Sequence, residues 1–249
     1  VKNRQVKGAA EEALQLAADN LGLTPEQLED RLVTTLGFDE SGTMRLSYGE
    51  RSFLIKVNGD LQVVVLNEET GKTVKSLPAP AQKDDTELAA QSKARFTQLK
   101  KDLKTMVGIQ AQRLEESLSK QRLWSAEEWK ALFVENVIMQ KFAVGLIWGT
   151  YEDGQLNSTF RYMEDGTYNT VDEDEYELPL NTQVGLVHPL ELEASTLDGW
   201  KTQLEDYEVK QPFEQLNREI HLPEEEDIKL EEYSRLPESE FSPTAFPKA

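Results

Sequence analysis

The 249-residue chain has no cysteine. That excludes disulfides, thiolate nucleophiles and cysteine-based zinc sites together. Histidine is nearly absent as well: His188 and His221 are the only two, and they do not have metal-ligand spacing. No run reaches the roughly 18 apolar residues of a membrane span. The first residues, Val-Lys-Asn-Arg-Gln-Val-Lys-Gly, contain no apolar signal region. Bases are scarce relative to acids. There are 27 Lys and Arg against 46 Asp and Glu, a formal charge of −19, and such a surface repels phosphate at long range. Nucleic acid and anionic membranes are therefore disfavoured partners unless a local basic patch overrides the field. The expectation is a cytoplasmic protein with no membrane partner, no metal and no cofactor.

What is present fixes the fold class. Hydrophobic residues make up 38% of the chain, enough for one ordinary core or two small ones. Helical and strand-like segments come in blocks rather than in regular alternation, which points to α+β rather than a doubly wound sheet. Residues 8–37 read as helical. In that stretch Thr24, Pro25 and Gln27 form a capping box with proline at the first helical position. Residues 44–78 switch to a period of two and form a first meander. Asn58-Gly59 lies between two apolar runs, a signal for a type I′ hairpin turn, and Glu69-Thr70-Gly71 marks a second turn.

Residues 84–137 return to helical spacing. A helix of about 37 residues, Thr86 to Arg122, would be about 55 Å long if unbroken. Asp84 and Asp85 cap it, and Gly108 marks a candidate kink. Its apolar stripe runs through Leu88, Phe96, Leu99, Leu103, Met106, Val107, Leu114 and Leu118, in steps that make one buried face. Ser125 and Glu128 form another capping box, opening a helix through Trp129, Leu132 and Phe133.

Residues 142–192 hold a second meander and a further strand. A strand is expected from Phe142 to Tyr151, a turn at Asp153-Gly154, a strand from Leu156 to Met163, a turn at Asp165-Gly166 and a strand from Tyr168 to Val171. A last strand is expected from Val184 to Leu192. Residues 197–208 read as a helix. The whole is expected to be one α+β domain over residues 1–221, with antiparallel meanders packed on the long helix and additional short helices. An acidic extended tail is expected over 222–249. The turn glycines recur at equal spacing in both meanders, as in an internal duplication, but similar strand lengths in generic meanders are the better reading.

Each tempting motif has a structural explanation. Gly71-Lys72-Thr73 matches the end of a phosphate loop, but Leu66 stands where the first glycine belongs, and prolines follow in place of a helix. The run Glu164 to Glu177 holds seven acids and no base. Asp172 and Asp174 are spaced to share a hard cation, but no calcium-loop pattern surrounds them, so a solvated loop is the better reading. His188 precedes Pro189 in an apolar strand and has no serine or cysteine nucleophile to serve. Trp124, Trp129, Trp148 and Trp200 read as core anchors. The long helix carries a charge anomaly. Lys93, Arg95, Lys100, Lys101, Lys104, Arg113, Lys120 and Arg122 stand against Asp102, Glu115 and Glu116, a local 8 − 3 = +5 in an acidic chain.

Several stretches occur together in order: Leu99-Lys-Lys-Asp-Leu103, Gln112-Arg-Leu-Glu115, Leu146-Ile-Trp-Gly149, Phe160-Arg-Tyr-Met-Glu-Asp-Gly166, His188-Pro-Leu-Glu-Leu192 and Gln211-Pro-Phe-Glu-Gln215. Over about Thr24 to Ile220 the chain resembles the shared region of large bacterial MolR-like (molybdate metabolism regulator-like) proteins, domain of unknown function 4132. The resemblance implies a segment of a long cytoplasmic protein, often with helical repeats upstream and sometimes a WGR domain. It carries over no catalytic residue. Trp148-Gly149 is similar to a WGR core, but Thr150 stands where arginine would, which argues against a WGR domain at this position.

Three functions follow in order of support. The first is a non-catalytic interaction, scaffolding or regulatory module, whose partners are other domains of a parent protein or another protein. The second is an enzyme of unrecognised type, with Arg113, Glu115, Asp165 and His188 around a pocket between the long helix and the second meander. The third is weak nucleic-acid binding through a basic patch of Lys93, Lys100, Lys101 and Lys104. Interleaved exposed aromatics, which would stack bases, are missing from the helix.

Overall fold

Two antiparallel sheets and one long helix collect the apolar residues, in a computed structural model that describes residues 2–218. Residues 1–216 form one compact unit, and a second unit begins at Asn217. The expected tail over 222–249 and His221 lie outside the described residues.

Helices α1 (Lys2–Leu21) and α2 (Pro25–Arg31) come first. Both capping-box bonds of α2 form: Gln27 N donates to Thr24 Oγ1 at 3.2 Å and Thr24 N to Gln27 Oε1 at 3.0 Å. The helix ends at Arg31, well before Gly37. Strands β1 (Thr43–Ser47), β2 (Ser52–Val57), β3 (Val63–Asn67) and β4 (Thr73–Val74) then pair in sequence order. Met44, Leu46, Phe53, Ile55, Val57 and Val65 alternate into the core, as the period of two requires.

The turn at Asn58-Gly59 differs from the expected type I′ turn. Leu61, not Asn58 or Gly59, adopts positive φ, at 56°. Asn58 N donates to Gln62 O, while Asn58 Oδ1 accepts from Gln62 N at 2.8 Å. The result is a longer loop closed by the asparagine side chain, and it brings Leu61 against the core. Gly71-Lys72-Thr73 belongs to the turn between β3 and β4: Gly71 N donates to Asn67 O. No helix follows it, so the geometry of a phosphate loop is absent.

Helix α3 (Thr86–Ser119) is 34 residues long and runs unbroken through Gly108. Asp85 alone caps it, accepting from Glu87 N and Leu88 N at 2.9 Å. Asp84 turns instead to Arg51 and makes an ion pair with its side chain fully buried. Leu88 is 39% exposed. The buried face starts at Ala89 and Ser92, and Ser92 Oγ donates to Ser47 O of β1 at 2.7 Å. The stripe from Phe96 to Leu118 is buried as its spacing predicts, apart from Val107, which is half-buried.

The second sheet contains β5 (Leu123–Ser125), β6 (Ile147–Glu152), β7 (Gln155–Tyr162), β8 (Tyr168–Asn169) and β9 (Gln183–Leu186), in the order β5-β9-β6-β7-β8. Helices α4 (Ala126–Phe133) and α5 (Met139–Val144) lie between β5 and β6. Phe142 to Val144 are therefore helical, not the start of a strand. The run Phe142 to Trp148 is buried throughout, so it has no periodicity from which to tell helix from strand. The last strand also stops early, at Leu186. His188 then caps a single 3-10 turn, Pro189–Glu191. Asp153 and Gly154 have φ of 51° and 76°, as a type I′ turn requires.

The sheet is covered on both faces. Trp124, Trp148, Phe160 and Tyr162 join Trp129 and Phe133 of α4 in the main core. On the other face Ile147 and Val187 pack against Trp200 and Leu204 of α6 (Ala194–Asp206). Gln215, fully buried, completes that side. It accepts from Ile147 N at 2.9 Å and donates to Ile147 O and Val187 O at 2.7 and 3.0 Å, supplying hydrogen bonds that a neighbouring strand would otherwise provide.

Gly149 and Gly185 face each other across β6 and β9. A Cβ on Gly149 would lie 2.4 Å from Leu156 Cδ1 and 2.9 Å from Val187 Cγ2. Close packing, not backbone conformation, demands glycine there. Gly149→Ala is expected to destabilise the unit by about 1–3 kcal/mol through overpacking, read as a lower urea midpoint at an unchanged slope.

Candidate functional site

The positive charge of α3 divides into two halves with different surroundings. Near its C-terminal end two arginines, Arg113 on the helix and Arg122 just before β5, are neutralised within the fold. Asp30 of α2 accepts from Arg113 Nη2 at 2.7 Å, from Arg122 Nη2 at 2.5 Å and from Trp124 Nε1 at 3.0 Å. Glu29 adds a second partner for Arg113 at 3.1 Å. The Arg122 guanidinium also stacks over the Trp124 ring at 4.8 Å. This node clamps α2 onto α3 and β5, and its charges are spent on one another.

The N-terminal half is different. Lys100 and Lys104, one helical turn apart on α3, line a groove of about 1030 Å³ between α3 and the β3–β4 edge of the first sheet. Lys75, just beyond β4, and Lys210 line it too, with Asp60 as the single acid among the described lining residues. Lys210 Nζ pairs with Asp60 at 3.1 Å. Lys75, Lys100 and Lys104 make no ion pair among the described residues. Lys100 rests 5.5 Å from the Phe96 ring centroid. The floor is apolar: Leu61, Val63, Val74 and Val107 are half-buried in it and Leu103 is buried. Among the described residues no aromatic lines it. Lys93 and Lys101 do not line the groove.

The four residues expected around an enzymatic pocket are not brought together. Arg113 is held by Asp30 and Glu29, and donates to Gln110 Oε1 at 2.8 Å. Glu115 lies on the exposed side of α3. Asp165 closes the β7–β8 turn: its Oδ1 accepts from Thr167 N at 3.0 Å and from Thr167 Oγ1 at 2.6 Å. Those two bonds favour the carboxylate and hold its pKa below the usual range. His188 Nδ1 accepts from Leu190 N at 3.2 Å, and its backbone N–H donates to Glu191 Oε2 at 2.8 Å. The expected site dissolves because each side chain satisfies local backbone or a nearby partner. Asp172 and Asp174 are exposed. Among the described residues no three His, Asp or Glu side chains gather as a metal-binding group, and no helix is long and apolar enough to cross a membrane.

Lys100 and Lys104 are legible in the sequence as a helical pair, whereas Lys75 and Lys210 are not. These reach the groove only through tertiary folding, and no local pattern marks them. Asp30 is equally invisible locally, because its partners Arg113, Arg122 and Trp124 lie more than eighty positions away.

Comparison with known proteins gives a consistent picture. The family described as "Domain of unknown function (DUF4132)" matches residues 71–246. The chain is 33% identical over 220 residues to the "Uncharacterized protein YehI" of Escherichia coli (strain K12). That alignment covers 87% of this chain but 18% of YehI, so the chain spans about a fifth of the relative's length. No solved structure matches the chain.

Proposed function

The chain belongs to the family described as domain of unknown function (DUF4132), and we propose that it is a non-catalytic interaction module whose lysine groove docks an acidic, extended polypeptide segment. The observation that carries this reading is the contrast between the cations at the two ends of α3 and its neighbouring strands. Arg113 and Arg122 are neutralised by Asp30, whereas Lys75, Lys100 and Lys104 share a groove and have no acidic partner among the described residues. Unpaired lysines above an apolar floor suit a segment that alternates carboxylates with aliphatic side chains. The acidic remainder of the surface does not oppose this at close range, because charges beyond about 8 Å are largely screened at physiological salt.

The small share of YehI that the chain covers supports placing the module inside a long multidomain bacterial protein of the MolR-like kind, where the acidic segment belongs to another domain or to a separate protein. A cytoplasmic setting belongs to the same reading, supported by the lack of cysteine. Nucleic acid is the weaker occupant. Among the described residues the groove has lysines but no aromatic platform for bases.

The test is binding of a labelled glutamate- and leucine-rich peptide, followed by fluorescence anisotropy. Lys75→Glu/Lys100→Glu/Lys104→Glu is expected to weaken binding by about a hundredfold or more, and added salt to weaken wild-type binding. The three lysines are not core residues, so the variant keeps the wild-type melting curve. Peptide affinity unchanged by the triple substitution contradicts the proposal, as does a single-stranded RNA that binds more tightly than the peptide.

A further inference from the structure

The second sheet buries a cation that makes no ion pair among the described residues. Arg161 of β7 points at α6 rather than into the main core and is 2% exposed. Burying a guanidinium is costly unless it is paired, and no carboxylate among the described residues lies within ion-pair distance of it. Its two hydrogen bonds are long: Nε to Val144 O at 3.5 Å and Nη1 to Gln203 Oε1 at 3.3 Å. Nη2 donates to none of the described residues. Gln203 is held in place by its own amide, which donates to Thr170 O at 3.1 Å and to Val171 O at 3.5 Å. The Tyr207 ring centroid lies 5.0 Å from the guanidinium carbon, and Tyr207 is itself tied to Glu173 at 2.9 Å. The arginine is thus positioned by its neighbours, while Glu164 and Glu173 act on it only from beyond ion-pair distance.

Arg161 lines a pocket of about 470 Å³, between the Asn58–Asp60 loop, the start of the β7–β8 turn and residues 207–210. This pocket is distinct from the lysine groove, although the two share Gly59, Asp60 and Lys210. Its mouth is acidic. Asp60, Glu164, Asp165 and Glu208 line it and are exposed. Asp60 is engaged by Lys210 and Asp165 by Thr167, which leaves Glu164 and Glu208 facing the opening. One buried cation below two carboxylates is a polarised site. A polyanion would be repelled at the entrance, whereas a carboxylate on a ligand that also carries a positive group is matched at both ends.

We propose that this pocket binds a small zwitterion of the amino-acid type, its carboxylate against Arg161 and its ammonium group toward Glu164 and Glu208. A guanidinium presents paired N–H donors that match carboxylate oxygens, and the volume suits a molecule of that size. The ligand supplies the close carboxylate that none of the described residues offers.

Calorimetric titration of the full chain tests this with four probes: 6-aminohexanoate, hexanoate, hexylamine and inorganic phosphate. 6-Aminohexanoate is expected to bind at least about tenfold more tightly than any of the other three. Arg161→Met, which keeps the length and apolar stem of the side chain, is expected to abolish that binding. Glu164→Gln/Glu208→Gln changes only exposed residues and serves where Arg161→Met fails to fold. It is expected to bring 6-aminohexanoate down to the affinity of hexanoate. The proposal is overturned if phosphate or hexanoate binds as tightly as 6-aminohexanoate, if folded Arg161→Met keeps the wild-type affinity, if the double glutamine variant keeps the preference for the zwitterion, or if no probe binds.

Discussion

Trp129→Ala is expected to lower the stability of the unit by about 3–5 kcal/mol, the usual range for removing a large buried aromatic. Trp129 is fully buried and stands at the centre of the aromatic core. Its ring centroid lies 5.2 Å from Trp148, 5.6 Å from Phe160, 5.9 Å from Phe133, 6.1 Å from Tyr168 and 6.2 Å from Tyr162. It is the residue through which α4 grips β6, β7 and β8, so its loss opens a cavity that those strands cannot collapse around. Its indole N–H has no hydrogen-bond partner among the described residues, which makes the companion substitution informative. Trp129→Phe discards that orphaned donor while keeping a ring, and its cost is expected to be smaller than that of the alanine by about 2 kcal/mol. Urea unfolding followed by circular dichroism reads both. An alanine variant within about 1 kcal/mol of wild type, or a phenylalanine variant as damaged as the alanine, contradicts the central role given to this ring.

Asp30→Ala comes next, with an expected loss of about 3 kcal/mol. Breaking a largely buried ion pair by removing one partner leaves the other charge stranded. The Asp30 side chain is 13% exposed, and those of Arg113 and Arg122 are 19% and 18% exposed. Deleting the carboxylate strands the Arg122 guanidinium and the Trp124 indole N–H, while Arg113 keeps Glu29. Arg122 should therefore dominate the coupling. In a double-mutant cycle, Asp30→Ala with Arg122→Met is expected to show a coupling of about 1–3 kcal/mol, and with Arg113→Met a smaller one. Near-ultraviolet circular dichroism of Trp124 should change in step. Equal couplings, or none, would mean that the node is not what locks α2 to α3 and β5.

The same contrast between local and distant partners explains which features could be read from the sequence. Thr24 with Gln27, and Ser125 with Glu128, were legible as capping boxes because their bonds close within a few residues. Asp153-Gly154 was legible because a two-residue turn needs only its own backbone. Asn58-Gly59 has the same kind of signature but forms another loop, because packing of Leu61 against the core and the bond from Gln62 to the Asn58 side chain outweigh the local preference. The three residues of β5 were hidden because they pair with β9, some sixty positions away. The insertion of β9 between β5 and β6 left no mark on either segment.

The sites followed the same division. Lys100 and Lys104 were visible as a helical pair, whereas Lys75 and Lys210 join them only in three dimensions. Arg161 sits between Phe160 and Tyr162, and strand alternation would place it facing solvent. It is buried because α6, carrying Trp200 and Gln203, covers that face.

The proposed function comes down to whether the unpaired lysines are where an acidic segment lands. Acetylation footprinting of the full chain, with and without the glutamate- and leucine-rich peptide, addresses this directly. Lys75, Lys100 and Lys104 are expected to be protected by the peptide, while Lys7 of α1 and Lys130 of α4, which do not line the groove, keep their reactivity. Uniform protection of all lysines, or protection that bypasses the groove, would contradict the assignment.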